Sequence, residues 1–474
     1  MSRGKRARGP DVVRRSRTPR LDVTTVLAVV IPLLTVGLLA LVRIPPVHDT
    51  DQPPALTQLT NALVVCPSGR PGSPDAAVST ASGSSGDVSV FAAGQQQSVA
   101  VSTGASSPVD SPESLVVRGS DDLAPGLVGL RSGTAPLSAL ACTVPSPEQW
   151  FTGMGARADH DSVIELVNPD AGPAVADVTL YGSHVFSTRR LRGILIPGHK
   201  TITLDLGTVI PTRTLFSAHV VVSRGRLSVD VRDSSTDLAT HRTLREWLPR
   251  QLAPALTNEL LGLPTGPGER TLQLANAGVN VVRAEIKVVT GDTSFVPDGL
   301  DPVSVPPGST VSVPLTAELG KALKDGALGV SVEADGPVTA SLLTSLAKDR
   351  VLTVPDDDVS AEAATLLPVA TGPGAKQNQV SARLLLSADA AGSADVTAYD
   401  ASGTRLLRRT FASQQGHTVT VDLPPGTAFV HVVPRRTPVR GAVIVSGDGA
   451  GATVIPLTEL LTQGLVPQIS PGRS

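Results

Sequence analysis

The sequence contains few aromatic residues, few cysteines and little charge. Of 474 residues, two are Trp, two are Tyr and seven are Phe, which argues against a carbohydrate module that stacks sugars on exposed rings. Two residues are Cys, which excludes a disulfide-dense scaffold and a four-cysteine zinc site. Charged residues make up 17% but hydrophobic residues 41%, which excludes a disordered polar chain.

Glycine and proline are abundant, with 44 and 40 residues. Both favour turns, so the composition predicts many short elements rather than long helices. At roughly 100–200 residues per domain, the length predicts two to four domains. The sequence indicates where the chain resides and how it is built, whereas no motif in it specifies a chemistry.

The charge of -2 is unevenly placed along the chain. Residues 1–20 hold eight basic residues against Asp11, a net charge of +7. Beyond Arg43 the chain has 31 basic and 40 acidic residues, a net charge of -9. A basic segment followed by an acidic bulk is typical of a protein whose N-terminus stays in the cytoplasm.

Residues 24–42 carry no charge. Nineteen helical residues rise about 28 Å, enough to cross the hydrocarbon core of a bilayer. We therefore expect a single-pass protein of the cell membrane with a signal anchor at 23–43, a cytoplasmic N-terminus and an extracellular C-terminal region. The lipid bilayer is then the first expected partner, through residues 24–42.

Two other targeting signals are less compatible with this segment. A cleaved signal peptide has an apolar region of about 7–15 residues and an A-x-A-like site, whereas this run is longer and ends in LALVRIPP. Arg14 and Arg15 resemble a twin-arginine export signal, but the following Ser-Arg-Thr-Pro continues it poorly. An uncleaved anchor with ordinary topogenic charge is the favoured interpretation.

Four short segments repeat along the exported region, each with a Gly turn followed by alternating apolar residues. They are residues 94–102, 198–206, 308–315 and 416–423. Alternation with a period of two predicts a strand with one buried face. Aligning Ser98, Thr201, Thr310 and Thr418 gives spacings of 103, 109 and 108 residues.

Further apolar strands flank each repeated segment. Those upstream are residues 63–69, 164–172, 272–278 and 384–392, and strand pairs follow downstream at 218–233, 328–345 and 428–447. Arg-Gly and Asp-Gly-Pro stand where a hairpin needs turn residues. Six or seven strands in about 105 residues predict a mainly β protein with about four immunoglobulin-like antiparallel β-sandwich units. The alternative is a β-propeller-like arrangement, although propeller blades need only about 40–50 residues.

These patterns divide the chain into ten segments. The prediction is a basic cytoplasmic segment at 1–22, the anchor at 23–43, a linker at 44–57, β unit 1 at 58–150, β unit 2 at 151–245, a linker at 246–268, β unit 3 at 269–352, a linker at 353–374, β unit 4 at 375–463 and a tail at 464–474. Short helical patches are predicted at 242–261 and 316–325.

The two cysteines fall in the first and last strands predicted for unit 1. Cys66 and Cys142 would both lie outside the membrane, where disulfides persist, so we predict a structural bridge between them. A redox pair usually has closer spacing, such as C-x-x-C. The later units place Asn168, Asn276 and Asp389 at the position of Cys66 and therefore have no bridge.

Several motifs between residues 60 and 460 resemble a known family. They are residues 143–155 with Trp150 and Phe151, residues 164–182, 194–206 and 223–233, and the pair Trp247 and Pro249. This combination resembles an uncharacterised actinobacterial family of membrane-anchored proteins, a domain of unknown function that is number 5719 in its series. The resemblance implies a cell-envelope location and brings no catalytic residues.

Three motifs contain residue types used in catalysis or phosphate binding. Residues 193–201 (GILIPGHKT) carry His199 before Lys200 and so depart from a P-loop, which makes a Pro-Gly turn the better interpretation. Residues 83–86 (GSSG) are not a G-x-S-x-G elbow. His160-Asp161-Ser162 contains the residue types of a triad, but a triad is defined by spatial geometry, so we expect a polar turn.

Candidate metal ligands are also scattered. His199 and His417 precede equivalent strands, which indicates a repeated exposed turn. Asp356, Asp357 and Asp358 could bind calcium, but without the spacing of a ligand set a solvated linker is favoured. We therefore expect no metal and no cofactor, and the acidic exported region argues against nucleic acid as a partner.

Two classes of function remain. The favoured one is a non-enzymatic envelope protein whose sandwich units act as a scaffold or as binding modules for envelope proteins or wall polymers, because sandwich edges and loops serve as binding surfaces. The alternative is a glycan-processing enzyme of the envelope, whose two carboxyl groups, about 5–10 Å apart, are not recognisable among ordinary loop residues.

Overall fold

The computed structural model describes residues 23–41, 55–71, 75–134, 136–251, 253–368, 380–447 and 451–466. The predicted basic segment lies outside the described residues. Helix α1 (Val23–Leu41) belongs to one compact unit, and the strand-rich region Leu56–Leu465 forms another. None of the described helices has the length and hydropathy required of a membrane span.

The strands fall into four groups that follow one another along the chain, and the protein is mainly β. Strand β1 (Ala55–Gln58) precedes group one, which contains β2 (Asn61–Cys66), β3 (Asp75–Thr80), β4 (Gly86–Ala92), β5 (Gln95–Val101), β6 (Ser107–Val109), β7 (Leu115–Ser120), β8 (Leu127–Thr134) and β9 (Leu137–Ala141). Group two contains β10 (Glu148–Arg157), β11 (His160–Val167), β12 (Ala174–Tyr181), β13 (Val185–Phe186), β14 (Ile194–Ile196), β15 (Thr201–Asp205), the short helix α2 (Leu206–Val209), β16 (Arg213–Arg224), β17 (Ser228–Asp237) and β18 (Arg242–Leu248).

Groups three and four complete the list. Group three contains β19 (Ala255–Leu261), β20 (Gly268–Asn276), β21 (Val282–Val289), β22 (Ser294–Phe295), β23 (Val303–Val305), β24 (Ser309–Pro314), helix α3 (Thr316–Ala322), β25 (Gly329–Leu346) and β26 (Asp349–Thr353). Group four contains β27 (Ala363–Leu366), β28 (Val380–Ser387), β29 (Gly392–Asp400), β30 (Arg405–Ser413), β31 (Thr418–Asp422), β32 (Thr427–Arg435), β33 (Arg440–Gly447) and β34 (Gly451–Pro456), and β35 (Gln463–Val466) follows and pairs with β1.

All four groups share one strand order. In group one the two antiparallel sheets are β2-β7-β4-β5 and β6-β3-β8-β9, and in group four they are β27-β32-β29-β30 and β31-β28-β33-β34. Counted within a group, the orders are 1-6-3-4 and 5-2-7-8. Group two repeats this order with its fourth position divided between β13 and β14, and group three divides that position between β22 and β23. The four groups are therefore copies of one eight-position pattern.

The third strand of each group shows why these sequences form sheets. In β12 and β21, buried apolar residues alternate with more exposed polar ones, as in Val178 beside Asp177 and Ile286 beside Glu285. The buried faces of both sheets of a group contribute to one hydrophobic cluster, as Val90 of β4 and Val78 of β3 do in group one. Each fully buried Val or Leu stabilises the fold by about 1.5–3 kcal/mol.

The predicted repeat is confirmed for three groups and corrected for the first. Thr201, Thr310 and Thr418 lie opposite Val167, Ala275 and Ser387 in the pairing of the fifth strand with the second. Ser98 instead lies in β5, a fourth strand, so its assignment was wrong by one strand. The alignment failed because β5 and the true fifth strands share the same alternation.

The same shift affects the predicted equivalents of Cys66. Cys66 ends a first strand, whereas Asn168 and Asn276 follow or end second strands. Both asparagines donate to the backbone carbonyl that ends the second piece of the fourth strand position, Asn168 to that of Ile196 at 3.0 Å and Asn276 to that of Val305 at 3.0 Å. They are therefore equivalent to each other and not to Cys66.

The predicted hairpins are arches, in which the two connected strands do not pair with each other. Strands β16 and β17, joined across Gly225 with φ +75°, bond to β10 and β12 and to β11 and β18, respectively, and β32 and β33 lie in different sheets of group four. In group three the Asp-Gly-Pro segment is not a turn, because β25 runs unbroken from Gly329 to Leu346 and changes sheet partners near residue 337. Turn residues occur in hairpins and in arches alike, so composition alone did not distinguish the two kinds of connection.

Two predicted linkers contain strands, β19 within 246–268 and β27 within 353–374. The prolines at 254 and 264 flank β19 and do not interrupt it. The helical patch at 316–325 agrees with α3 and a following 3₁₀ turn (Leu323–Asp325), whereas the patch at 242–261 is wrong because β18 and β19 occupy it. Partners from distant strands outweighed local helix propensity there.

The groups contact one another in a closed cycle. Ser68 of group one donates its backbone N–H to Glu165 of group two, and Thr152 of group two lies 2.6 Å from Thr339 of group three, hydroxyl to hydroxyl. The backbone N–H of Ala452 in group four reaches Asp349 of group three at 2.7 Å. Group four returns to group one through a hydrogen bond from the Ser106 N–H to the Ala401 carbonyl at 3.0 Å.

One disulfide joins Cys66 of β2 to Cys142, which follows β9, and so links the two sheets of group one. Its sulfur atoms press against Gly129 of β8, where a Cβ would lie 2.8 Å from the Cys142 sulfur. The pair is the one predicted from the sequence, and its loop spans 76 residues.

Replacing both cysteines, Cys66→Ser with Cys142→Ser, should destabilise group one by about 4 kcal/mol, because the unfolded chain gains the entropy of a loop of this length. Hydrogen exchange of the group-one amides under increasing urea measures the loss. Gly129→Ala should also destabilise this group, whereas Gly83→Ala, with no atom within 4 Å of the new Cβ, is the matched control. Unchanged exchange in the cysteine variant would contradict the role of the bridge.

Candidate functional site

The eighth strands of the four groups meet at one place. Contacts run from β9 to β18, from β18 to β26, from β26 to β34 and from β34 back to β9. Every residue of β26 is buried, as are Glu246 and Trp247 of β18. We call the charged residues around these strands the central junction: Arg70, His160, Asp233, Glu246, Asp349 and Arg350.

Arg70 and Glu246 form a buried ion pair between groups one and two. The guanidinium lies 3.1 Å from the Glu246 carboxylate, and both side chains are under 5% exposed. The same guanidinium sits 5.1 Å from the Trp247 ring centre, and the Trp247 backbone N–H donates to Glu246 at 2.8 Å. Burial raises the pKa of Glu246 to about 8, against the opposing charge of Arg70, and burial lowers the pKa of Arg70.

Asp349 connects groups three and four. Its carboxylate accepts the backbone N–H groups of Ala452 and Arg350 at 2.7 and 2.8 Å. Gly451 has φ +89°, and a Cβ there would lie 2.0 Å from the Asp349 carboxylate, so only glycine lets the chain approach so closely. Burial raises the pKa of Asp349 to about 6.

Arg350 of group three enters group two beside a buried carboxylate. Its guanidinium lies 2.5 Å from Asp233, which is fully buried. His160 contacts both, at 2.9 Å from Asp233 and 3.1 Å from Arg350, and the Ser162 hydroxyl donates to Asp233 at 2.6 Å. Although burial opposes ionisation, Arg350 and His160 lower the pKa of Asp233 to about 2. The carboxylate therefore stays charged and holds three partners.

This geometry explains the His160-Asp161-Ser162 motif, which is not a simple polar turn. His160 and Ser162 both bind Asp233, whereas Asp161 accepts the Gly207 N–H at 3.0 Å on the other side of the strand. A nucleophilic serine donates to the histidine, whereas the Ser162 hydroxyl donates to the aspartate and is buried. The motif contributes to packing between groups.

The three consecutive aspartates diverge from one another and do not form a solvated linker. Asp356 is buried and accepts the Leu261 N–H at 3.2 Å, while Asp358 lies 2.7 Å from the Arg440 guanidinium. Burial raises the pKa of Asp357, and the charge of Arg250 opposes that shift. Across the described ranges, no three His, Cys, Asp or Glu side chains are grouped so that they could hold a metal ion.

The remaining motifs lie at turns. His199, with φ +55°, and His417 precede the fifth strands of groups two and four, as the repeat predicted. Residues 193–201 include β14 and a turn closed by the Lys200 N–H and the Pro197 carbonyl at 3.2 Å. These segments shape the outer ends of the sheets.

An open cleft of about 720 Å³ in group two collects carboxylates. It is lined by Asp159, Asp161 and Asp205 together with Arg157 and Gly207. Burial, then the nearby charge of Asp205, raises the pKa of Asp161. Neighbouring carboxyl groups in an open cleft are a starting requirement for acid–base chemistry.

Sequence reasoning missed most of the central junction. Arg70, Glu246 and Asp349 lie in segments more than 100 residues apart, and no local motif marks them. The one available signal was a charge directly before apolar residues, as in Glu246 before Trp247 and Leu248 or Arg350 before Val351, all of which are buried. Such charges are costly to bury unless they are paired.

The sheets and the junction define a mainly β protein built from four copies of one antiparallel pattern around a buried ionic centre. Comparison with family models matches residues 101–424 to a family of unknown function, DUF5719. The chain belongs to this family, as its motifs indicated. No curated protein matches the chain.

Glu246→Gln should flatten the dependence of stability on pH. A raised pKa means that the folded state binds the proton more tightly, so the stability from Glu246 is present below pH 4.5 and is lost as pH rises towards about 8. Between pH 5 and 8 the native chain should lose roughly 3–4 kcal/mol of stability that the variant does not lose. Urea unfolding at several pH values measures this slope. Glu269→Gln, at an exposed carboxyl, is the control, and parallel profiles for Glu246→Gln and the native chain would contradict the assignment.

Proposed function

We propose that the protein is a non-enzymatic, membrane-anchored component of the cell envelope, and that its exported β units act as a scaffold or as binding modules for envelope proteins or wall polymers. The observation that carries this proposal is the central junction. Its charged groups are paired across groups, as Arg70 is with Glu246 and Arg350 with Asp233, which suits a rigid platform. Binding would then fall to the outer strands and loops.

We further propose that each group is an immunoglobulin-like β-sandwich. The pairings of the second strand with the fifth and of the third with the sixth match the B–E and C–F pairings of that fold. Two pairings distinguish these units from the common order of that fold. The first strand lies beside the sixth, and the seventh lies beside the second. The predicted domain boundaries then shift. The predicted linker at 353–374 and parts of the one at 246–268 belong to the β units.

The membrane location rests on the N-terminal region and on the disulfide. Helix α1 exposes large apolar side chains, among them Leu33 at 65% and Val36 at 64%. It follows the basic segment at 1–22, and the region beyond it is acidic. A disulfide persists in an oxidising compartment outside the cytoplasm. We propose that the uncharged N-terminal segment 24–42 anchors the chain in the cell membrane with the β units outside.

Thiol labelling of intact cells tests this topology. Both native cysteines are in the disulfide, so Val279→Cys, at a side chain 88% exposed, introduces a single free thiol. A membrane-impermeant maleimide should label Val279→Cys in intact cells and Ser2→Cys only after permeabilisation. Labelling of both, or the reverse pattern, would contradict the proposed orientation. Removal of residues 1–43 should release the β units from the membrane fraction.

The second candidate is a glycan-processing enzyme that uses the acidic cleft of group two. Asp161 and Asp205 line this cleft together, which favours it, because glycoside hydrolysis needs two neighbouring carboxyl groups.

Purified full-length chain should release no soluble fragments from cell-wall material if the first proposal is correct. Release measured by reducing-end assay, and abolished by Asp161→Asn but not by Asp87→Asn, would instead establish the enzyme. In-cell crosslinking from the outer strands identifies the partner of the scaffold.

A further inference from the structure

The fourth strand position differs between the groups. In groups two and three it is divided into pieces of two and three residues, which leaves little continuous edge. In groups one and four it is a single long strand, β5 with seven residues and β30 with nine. Each of these ends its sheet and pairs with one strand only within the described chain. Their other edges present a row of backbone N–H and C=O groups.

Strand β30 differs from β5 in charge. It carries Arg405, Arg408 and Arg409, all exposed, whereas β5 (QQQSVAV) has no charged residue. None of the three arginines has a carboxylate within 4 Å in the described part of the chain, although the neighbouring Arg435 binds Asp395 at 3.1 Å. The three cations are therefore available on a region whose net charge is -9.

The arginines lie on both faces of the sheet. Arg409 is opposite Val396, which is fully buried in the core, and Arg408 is opposite Thr397, whose side chain is on the outer face. The Arg409 guanidinium lies 5.2 Å from the ring centre of Phe411, which holds it along the edge. A flat surface such as a membrane could contact one face of this sheet at a time, whereas an added strand reaches both.

We propose that the open edge of β30 binds an extended acidic peptide segment as an additional strand. The peptide's backbone pairs with the free edge, and its acidic side chains, which alternate between faces, lie beside Arg408 on one face and Arg409 on the other. The acidic surroundings repel such a segment elsewhere and so direct it to this edge. The inference rests on the proposed binding role and names the chemistry of a partner.

The competing explanation is that the arginines protect an exposed edge against pairing. The two explanations predict opposite results. An edge guard has no affinity for an acidic strand, and removing its charge promotes association between copies of the chain. A docking edge binds the strand, and reversing its charge removes that binding.

Fluorescence anisotropy tests the proposal with a labelled nine-residue peptide in which pairs of Glu alternate with pairs of Val, so that Glu side chains lie on both faces of the added strand. The assay uses the full-length chain in detergent. Arg408→Glu with Arg409→Glu should weaken binding about tenfold or more. Arg189→Glu with Arg190→Glu, two adjacent exposed arginines on a 3₁₀ turn, is the matched control and should bind as the native chain does. Thermal unfolding checks that both variants are folded.

Two further probes separate backbone pairing from simple charge attraction. A peptide N-methylated at every residue cannot donate hydrogen bonds along either edge, so it should lose binding. Equal binding of the methylated peptide, equal binding by the β30 variant, or binding only to vesicles of phosphatidylserine and phosphatidylcholine would overturn the proposal. No peptide binding together with self-association of the variant would establish the edge guard. The thiol-labelling result does not affect this assay, so location and binding fail independently.

Discussion

The buried contact between Arg70 and Glu246 is the interaction on which the arrangement of the four strand groups depends. Neither side chain is solvated, and each comes from a different group. Breaking a buried pair leaves an uncompensated charge, which typically costs 3–5 kcal/mol, so the two groups separate only at that cost. The buried pair of Arg350 and Asp233 links groups two and three, and separating them carries the same kind of cost.

The outer interfaces use weaker chemistry than the centre. Groups two and three meet through hydroxyl and amide groups, where Thr152 bonds to Thr339 and Gln251. Groups one and four share apolar residues such as Leu130 and Leu137, which pack with the core of group four. Apolar contacts tolerate shifts in register, whereas ion pairs require defined partners. The centre therefore fixes which groups are neighbours, and the outer interfaces contribute area.

The sequence predicted elements that depend on local pattern and missed those that depend on contacts between distant segments. The fifth strands at Thr201, Thr310 and Thr418 were found because alternation and a Gly turn are local. The arches across Gly225 were mistaken for hairpins, since the partner of each strand lies in another part of the chain. The Cys66–Cys142 pair was predictable because only one pairing exists. Glu246 and Asp349 were not, because their partners Arg70 and Ala452 come from segments more than 100 residues away.

Closure of the cycle changes what the repeat can do. A linear array of repeats exposes its two terminal units and needs capping at both ends. Here the first and last groups cap each other, with the Ser106 N–H bonded to the Ala401 carbonyl and the Tyr399 ring against Gly104. A further group could not be added without opening this contact. The eighth strands contact one another where the four groups meet, so only outer positions such as the fourth strands can differ between groups. The difference between the short fourth strands of groups two and three and the long edge of β30 is therefore the variation that this architecture permits.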